Sequence, residues 1–187
     1  MQEILQRTTS AFDGTVETVS CDEAYMMLLL DGDDAENSDA KAMEIAEGIR
    51  KEIFETTRCT ASIGIGDNKF LSKLATDKVK PNGAFIVKDY HELLRNLRLR
   101  DLHGIGWRSE PRLAAKGLNT VRDVWDLGNS AQTVLRDTLG PALGTKIFEF
   151  CHGRDDRPVQ PAKRKTIGAE VRTSIAFSSE YHQTFVC

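Results

Sequence analysis

The feature that most constrains this chain is a pair of adjacent carboxylates between two short apolar runs. Residues 15–19 (TVETV) are rich in β-branched side chains, and residues 25–30 (YMMLLL) form a continuous apolar run of strand length. Ser20-Cys21-Asp22-Glu23-Ala24 lies between them. This arrangement predicts a β-hairpin that carries Asp22 and Glu23 at its tip.

Carboxylates at a hairpin tip are suited to binding a hard divalent cation. Mg²⁺ prefers oxygen ligands and leaves room for substrate phosphates. A metal held by Asp22 and Glu23 would point to phosphoryl or nucleotidyl transfer. The alternative is a solvated turn, because short acidic motifs match by chance.

The composition is that of a soluble globular protein with one core or two small domains. The chain has 187 residues, of which 40% are hydrophobic and 28% charged. No apolar stretch is long enough to span a membrane, the N-terminus lacks a signal-peptide pattern, and we expect no membrane partner. The four cysteines are scattered without metal-finger or disulfide-framework spacing, which favours a reducing compartment.

The charge is distributed unevenly along the chain. Residues 1–96 carry 11 Lys and Arg against 18 Asp and Glu, whereas residues 97–187 carry 14 against 10. An acidic half followed by a basic half is compatible with a catalytic module joined to a polyanion-binding module.

The hydrophobic pattern predicts an α+β first half. Residues 1–12 form a thin amphipathic helix, and the hairpin follows. The acidic residues 31–39 are interpreted as a solvated turn, because their pattern does not match a calcium loop. Ser38 or Asp39 is predicted to cap a helix of about 17 residues. Residues 59–65 then form a strand, 68–79 a helix and 84–87 a short strand. This order suits an antiparallel or mixed sheet with helices on one face.

The second half is predicted to be helical. Short segments near 90–97, 107–116, 120–127, 130–139 and 141–151 are separated by Gly or Pro. Residues 153–164 form a charged linker that contains proline. Residues 165–177 alternate in polarity as a strand does, and a single strand has no independent stability. The pattern therefore predicts the beginning of a third domain there.

A lysine-bearing helix is the second candidate functional element. Lys69, Lys73 and Lys80 lie on or just after the helix 68–79, and Lys73 and Lys80 are seven residues apart on one face. Lys80 precedes the rigid Pro81-Asn82-Gly83 turn. The glycines before this helix do not have Walker spacing. A solvated helix face is the alternative, and a phosphate role requires this face to turn toward Asp22 and Glu23.

The third element is His103-Gly104-Ile105-Gly106, which opens a short helix. Its glycines are typical of a helix-hairpin-helix DNA-binding element, in which backbone N–H groups approach a phosphate. Arg108 and Arg112 would add positive charge. Such contacts position a duplex without reading its sequence. An ordinary turn between helices is the alternative.

These three elements, in this order, resemble the Y-family translesion DNA polymerases. The segments that carry the resemblance are 20–24 (SCDEA), 61–71 (ASIGIGDNKFL), 73–75 (KLA), 80–83 (KPNG) and 104–106 (GIG). Cys21 and the run 165–171 (KTIGAEV) are most similar to the deoxycytidyl-transferase branch. That branch inserts dCMP opposite abasic sites and damaged guanines and also scaffolds other polymerases.

The resemblance implies a fold and a set of site residues. A partial palm with a ferredoxin-like sheet would cover residues 1–95, a helical thumb 96–157, and a linker with the first little-finger strand 158–187. Asp22 and Glu23 would hold two Mg²⁺ ions, which activate the primer 3′-hydroxyl and clamp the incoming triphosphate. Lys80 would meet that triphosphate. The residues implied in DNA contact are Lys69, Lys73, Gly104, Gly106 and Arg108.

The same resemblance implies the partners and the location. They are primer-template DNA, an incoming deoxynucleoside triphosphate such as dCTP, and other translesion polymerase subunits bound through regions outside this chain. The expected location is the nucleus.

The sequence also departs from the family pattern. The family's first catalytic Asp lies on a strand well upstream of the Asp-Glu pair, whereas Asp13 here sits beside Gly14 in a predicted turn. No fingers segment and no dCTP-pairing arginine precede Asp22, and most of the little finger does not follow. We therefore expect this chain alone not to polymerise.

Two other functions are compatible with parts of the pattern. A non-catalytic module could bind primer-template DNA through residues 100–165 alone. A nucleotide cyclase could share the palm, although a cyclase has no reason to carry Gly104-Ile105-Gly106.

Overall fold

A computed structural model describes residues 1–30 and 35–161 of the chain. The first half combines helices with two pairs of strands, and the second half is helical. The predicted strand at 165–177, the start of a little finger and Cys187 lie outside the described residues. Among the described helices, none is both long enough and apolar enough to cross a bilayer.

The predicted hairpin is confirmed. Helix α1 (Gln2–Ala11) leads into strand β1 (Thr15–Thr18), which pairs antiparallel with β2 (Ala24–Met27). Thr18 lies opposite Ala24, so residues 19–23 form the connecting loop. One face of the hairpin is apolar and packs on the helices, as the alternation of a half-buried strand requires. The core that it joins contains Ile4, Leu5, Ile49 and Ile53, with Val16, Ala24, Met26 and Ile63 against it.

Helix α2 (Ala35–Thr57) begins earlier than expected. The prediction that Ser38 or Asp39 caps it is wrong, because both residues lie inside the helix. Ala35 and Glu36 are strong helix formers and extend the helix toward the N-terminus. One face of the helix points into the core, since Ala46, Ile49 and Ile53 are buried.

The following strand–helix–strand unit is parallel. Strand β3 (Ser62–Ile65) and strand β4 (Gly83–Ile86) pair in parallel, and helix α3 (Lys69–Lys78) connects them. Asn68 caps α3 by accepting a hydrogen bond from the Leu71 amide at 3.0 Å. Strand β3 begins at Ser62, three residues later than predicted, and Arg58 has a positive φ of 60° just after α2. Two parallel strands cannot be joined by a tight turn, and α3 supplies the crossover connection that they require.

The single ferredoxin-like sheet predicted for the palm is corrected for the described residues. They contain two separate two-stranded sheets, β1–β2 and β3–β4. The two sheets share the core formed by α1 and α2, because Val16 and Ile63 pack against the same buried isoleucines. Both strand pairs therefore pack on the same two helices.

The helical second half follows the predicted segments closely. It comprises α4 (Tyr90–Leu94), a 3₁₀ turn (Leu99–Asp101), α5 (Glu110–Ala114), α6 (Val121–Asp126), α7 (Ala131–Leu139) and α8 (Pro141–Cys151). The expected helix at 107–116 begins only at Glu110, after a turn at 107–109. Four apolar side chains around the glycine turn are buried: Leu102, Ile105, Leu113 and Leu118.

The helical half packs directly on α3. Phe70 stacks on Phe150 of α8, with ring centroids 4.4 Å apart and planes 4° from parallel. The Asn68 side-chain amide donates to the Gly153 carbonyl at 2.7 Å. One hydrophobic core therefore runs from α3 through α4 to α8. The domain boundaries at residues 95 and 157 stay predictions.

Candidate active site

The tip of the β1–β2 hairpin is organised by Ser20. Its hydroxyl donates to Asp22 Oδ1 at 2.7 Å and accepts from the Glu23 amide at 3.1 Å. The amides of Val19 and Ser20 both donate to the Glu23 carbonyl, at 2.9 and 3.1 Å, which closes the loop. Asp22 and Glu23 are therefore held on an ordered, exposed tip, as the sequence predicted.

Asp22 is stabilised in its ionised form. The hydrogen bond from Ser20 is the largest cause that holds the pKa of Asp22 below its ordinary value, and the Cys21 thiol at 3.6 Å adds to it. The positive charge of Lys80 acts in the same direction. A carboxylate that accepts several hydrogen bonds stays charged, as a metal ligand must.

The lysine-bearing face of α3 turns toward this tip. Lys73 Nζ lies 2.5 Å from Glu23 Oε1, and 3.8 Å from Asp77 on the same helix. Asp77 in turn pairs with Lys80 at 2.7 Å. A phosphate role for Lys73 and Lys80 requires this face of α3 to turn toward Asp22 and Glu23, and the pairing of Lys73 with Glu23 shows that it does.

The ion pairs leave the two lysines partly exposed. The hydrogen bond to Glu23 is the main cause that raises the pKa of Lys73, against the opposing effect of burial. The side chains of Lys73 and Lys80 are 39% and 51% exposed. Ammonium groups in this position can meet an anionic ligand that approaches the hairpin tip.

Lys69 has a different position from the one predicted. Its side chain is 7% exposed, and its ammonium pairs with Glu17 on β1 and lies 5.4 Å from the centre of the Tyr25 ring. This position gives no support to the prediction that Lys69 contacts DNA, because its ammonium is paired with Glu17 and largely buried. As the first residue of α3, Lys69 points back at the hairpin rather than into solvent.

Arg50 of α2 supports the turn that follows Lys80. Its guanidinium donates to Asn82 Oδ1 at 2.5 Å and to the Ala61 carbonyl at 2.9 Å, and pairs with Glu47. The Pro81-Asn82-Gly83 turn is thus fastened to α2. This contact anchors the turn that directly follows Lys80 and so helps to fix the position of the Lys80 backbone.

The donor set at the tip fits a hard cation in part. Two carboxylates with exposed oxygens provide the ligand type that Mg²⁺ prefers. Within residues 1–30 and 35–161, however, no group of three His, Cys, Asp or Glu side chains could hold a metal ion together. Asp13, with φ of 50°, lies in a turn as predicted. Asp22 and Glu23 would thus hold a metal together with ligands from elsewhere.

The glycine turn of the helical half is exposed and open. Gly104 has φ of +108°, a conformation that L side chains rarely adopt, and a Cβ at Gly106 would meet no atom within 4 Å. Trp107 is 77% exposed, and the Arg108 guanidinium lies 4.7 Å from the centre of its ring. The amides of Ser109 and Glu110 both donate to the Gly106 carbonyl. A polyanion can therefore approach the backbone here closely.

Sequence reasoning missed four residues that the structure brings into the site. Glu17 pairs with Lys69, Arg50 and Asn68 hold turns, and Asp77 links the two lysines. Asp77 could have been found, because it is four residues after Lys73 and three before Lys80. Glu17 carries no local signal, and neither do the bonds of Arg50 to Ala61 and Asn82, since these partners are far away in the chain.

Two family models match the chain. The impB/mucB/samB family matches residues 1–77, and the model described as DNA polymerase-iota, thumb domain, matches residues 100–155. Together they cover most of the sequence, and the matched residues include the hairpin and the glycine turn described above.

Individual relatives agree with these models. DNA repair protein Rev1 of Drosophila melanogaster is 32% identical over 98% of this chain, which spans 18% of that protein. DNA polymerase IV of Shewanella amazonensis is 38% identical over 91% of this chain, which spans 45% of it. The chain thus spans less than half the length of either relative.

A solved structure matches the fold. A DinB-family error-prone DNA polymerase from Sulfolobus solfataricus superposes with a TM-score of 0.67 at 26% identity, covering 85% of this chain and 46% of that one. The match extends over both the hairpin-bearing half and the helical half. The chain therefore belongs to the Y-family of DNA polymerases and carries palm and thumb sequence of that family.

Proposed function

We propose that this chain supplies the metal-binding hairpin, the triphosphate-facing lysines and the thumb of a translesion DNA polymerase. The observation that carries the proposal is the convergence of Lys73 and Lys80 on the Asp22–Glu23 tip. Carboxylates for a cation and ammonium groups for a phosphate chain, side by side, are what template-directed nucleotidyl transfer requires.

Each side chain then has a defined task. Asp22 and Glu23 hold Mg²⁺, together with ligands from elsewhere in the polymerase, and Ser20 keeps Asp22 ionised and oriented. Mg²⁺ in such a site neutralises the charge that develops on the transferring phosphoryl group. Lys73 orients Glu23, and Lys80 offers its exposed ammonium to the triphosphate. The turn at Gly104 and Gly106 holds the DNA backbone, with Arg108 beside it.

The catalytic part is tested in the polymerase that contains this chain. Asp22→Ala with Glu23→Ala should abolish nucleotide insertion on a primer-template, while DNA affinity stays within about threefold, because removing two metal ligands leaves the thumb unchanged. The matched control is Glu44→Ala with Glu55→Ala, which removes two exposed carboxylates from α2. Insertion at the control's rate by the first double variant would refute the assignment.

The thumb part is tested in the 187-residue chain. Phosphate contacts make binding depend steeply on salt, so Arg108→Ala should weaken duplex binding and reduce the salt slope by about one unit. Arg122→Ala, which removes an exposed arginine from α6, should leave the slope unchanged. Equal slopes for both variants would remove Arg108 from the interface.

The finer proposal is membership of the deoxycytidyl-transferase branch, with dCTP as the nucleotide, a nuclear location and other translesion polymerases as partners. The Drosophila relative, which matches nearly the whole chain, and Cys21 beside Asp22 support it. Insertion opposite an abasic site should then prefer dCTP to each other nucleotide by at least about tenfold, a difference of roughly 1.4 kcal/mol. Equal use of the four nucleotides would place the chain with the DNA polymerase IV relatives instead.

A further inference from the structure

The chain returns to the catalytic hairpin after it leaves the thumb. Helix α8 ends at Cys151, and residues 153–160 run back across the N-terminus of α3. The backbone amide of Gln160 then donates to Glu17 Oε2 on β1, at 2.8 Å. The segment that leads out of the thumb is thus bonded to the strand that leads into the Asp22–Glu23 tip.

Glu17 is the point at which three elements meet. The same oxygen, Oε2, also accepts from Lys69 Nζ, the first residue of α3. Glu17 is 21% exposed and Lys69 only 7%, so this pair is shielded from solvent far better than an ordinary surface salt bridge. Hydrogen bonds to an ionised carboxylate are stronger than neutral ones.

The returning segment is itself ordered by a second ion pair. Arg157 donates from Nε and Nη2 to the two oxygens of Asp155, both at 2.7 Å, and the Asp155 side chain is 3% exposed. The Arg157 guanidinium also lies 5.9 Å from the centre of the Phe150 ring on α8. A bidentate pair of this kind fixes the orientation of the two side chains as well as their distance. It therefore orders the segment that places the Gln160 amide beside Glu17.

Burial opposes the charge on Glu17, but its partners outweigh it. Desolvation acts to raise the pKa of Glu17, and the hydrogen bonds from Lys69 and Gln160 bring it below the ordinary value. An unpaired ammonium at the position of Lys69 would be costly, because breaking a buried pair leaves one charge uncompensated. Glu17 and Lys69 therefore depend on each other, and the Gln160 amide adds a second hydrogen bond to the charged carboxylate.

We propose that Glu17 is a positioning residue that couples the segment leaving the thumb to the hairpin, so that Asp22 and Glu23 keep a fixed place relative to the thumb. Its relevance to catalysis rests on the proposed function. The coupling itself does not, because it is a property of the described fold. A thumb that closes on DNA would then act on the hairpin through residues 157–160 and Glu17.

The coupling is tested by a matched pair of variants in the 187-residue chain. Gln160→Pro removes the backbone N–H that Glu17 accepts, whereas Gln160→Ala keeps it and removes only an exposed side chain. Amide hydrogen exchange over residues 15–27 should accelerate about tenfold in the proline variant, because one hydrogen bond to a charged group is lost. The alanine variant should stay within about twofold of the parent.

The possible results lead to different conclusions. Faster hairpin exchange in Gln160→Pro alone supports the coupling. Unchanged exchange in both variants, or equal acceleration in both, overturns it. If the proline variant does not fold, Glu17→Gln replaces it: the amide oxygen still accepts from Gln160 but loses the charge opposite Lys69. Its hairpin exchange should then accelerate at least twofold, and an unchanged rate would overturn the proposal.

Catalytic relevance is measured separately in the polymerase that contains this chain. Gln160→Pro should lower the single-turnover insertion rate about tenfold and leave nucleotide affinity unchanged, since Lys80 is not affected. Parallel loss of rate and affinity, or no loss of either, would overturn the positioning role. Failure of the proposed function would appear differently, as full activity in Asp22→Ala with Glu23→Ala.

Discussion

The close approach of strand β3 to helix α3 makes Gly64 a sensitive test of the structure. A Cβ added at Gly64 would lie 2.2 Å from the Ser72 carbonyl oxygen and 2.3 Å from the Thr76 amide nitrogen. Both contacts are with helix backbone, which cannot rotate away as a side chain can. The strand and the helix must therefore separate by about 1 Å before ordinary van der Waals contact is restored.

The expected cost of Gly64→Ala follows from that separation. Overpacking of this kind costs about 3 kcal/mol, and the Gly64 amide would also move away from the Thr76 hydroxyl that accepts its hydrogen bond at 3.0 Å. For a chain of this size, the melting temperature should fall by about 6–12 °C. Because Lys73 lies on α3, a shift of this helix would also disturb the pairing of its ammonium with Glu23.

The assay is denaturant and thermal unfolding followed by far-ultraviolet circular dichroism. The control is Gly48→Ala, which makes the same chemical change inside α2, where a Cβ would meet nothing within 4 Å. Alanine is the better helix former, so this variant should gain about 0.5–1 kcal/mol. A Gly64→Ala protein as stable as the parent would refute the close packing of β3 on α3, and with it the placement of the lysines.

Three further predictions concern a helix cap, the loss of stability at acid pH and the reactivity of the thiols. Thr120→Ala should cost about 1 kcal/mol in urea unfolding, because the hydroxyl caps α6 by accepting from the Asp123 amide. The backbone amides of Asn119 and Thr120 hold the pKa of Asp123 below its ordinary value. Ionised Asp123 therefore adds to the free energy of unfolding above about pH 4, and this contribution is lost as the pH falls through the pKa of Asp123 in the folded protein. In the Asp123→Asn variant, the free energy of unfolding should decrease less steeply as the pH falls below about 4. An unchanged pH dependence would contradict this role of Asp123. Burial raises the pKa of Cys151 to about 12, so a thiol reagent should modify exposed Cys21 and Cys59 in the native protein and reach Cys151 only on unfolding, as peptide mapping would show.

Local signals predicted most of the elements and the chemistry at the hairpin tip. The β-branched and apolar runs around Asp22 and Glu23 specify two strands and a loop, and the structure has them. The helix predicted over 68–79 forms as α3, and the Asn68 side chain caps it by accepting from the Leu71 amide within the same turn. These features depend on neighbours in sequence, so the residues themselves contain the information.

Where local signals failed, the structure depended on a distant contact or on an adjacent segment. The start of α2 at Ala35 shows that a prediction based on cap preferences alone was wrong. The separation of the strands into two sheets depends on which backbones meet, and the order of elements leaves that open. Neither outcome could be obtained from periodicity.

The lysines show the division most clearly. By sequence alone, Lys80 was the candidate for contact with the triphosphate, and Lys69 and Lys73 were candidates for contact with DNA. The packing of α3 against the hairpin buries Lys69 on Glu17 and leaves Lys73 and Lys80 beside Asp22 and Glu23. Sequence determined that the chain has a carboxylate-tipped hairpin, a lysine helix and a glycine turn. Only the tertiary structure decided which charges meet, because burial and pairing depend on surfaces that come together from residues some 50 positions apart.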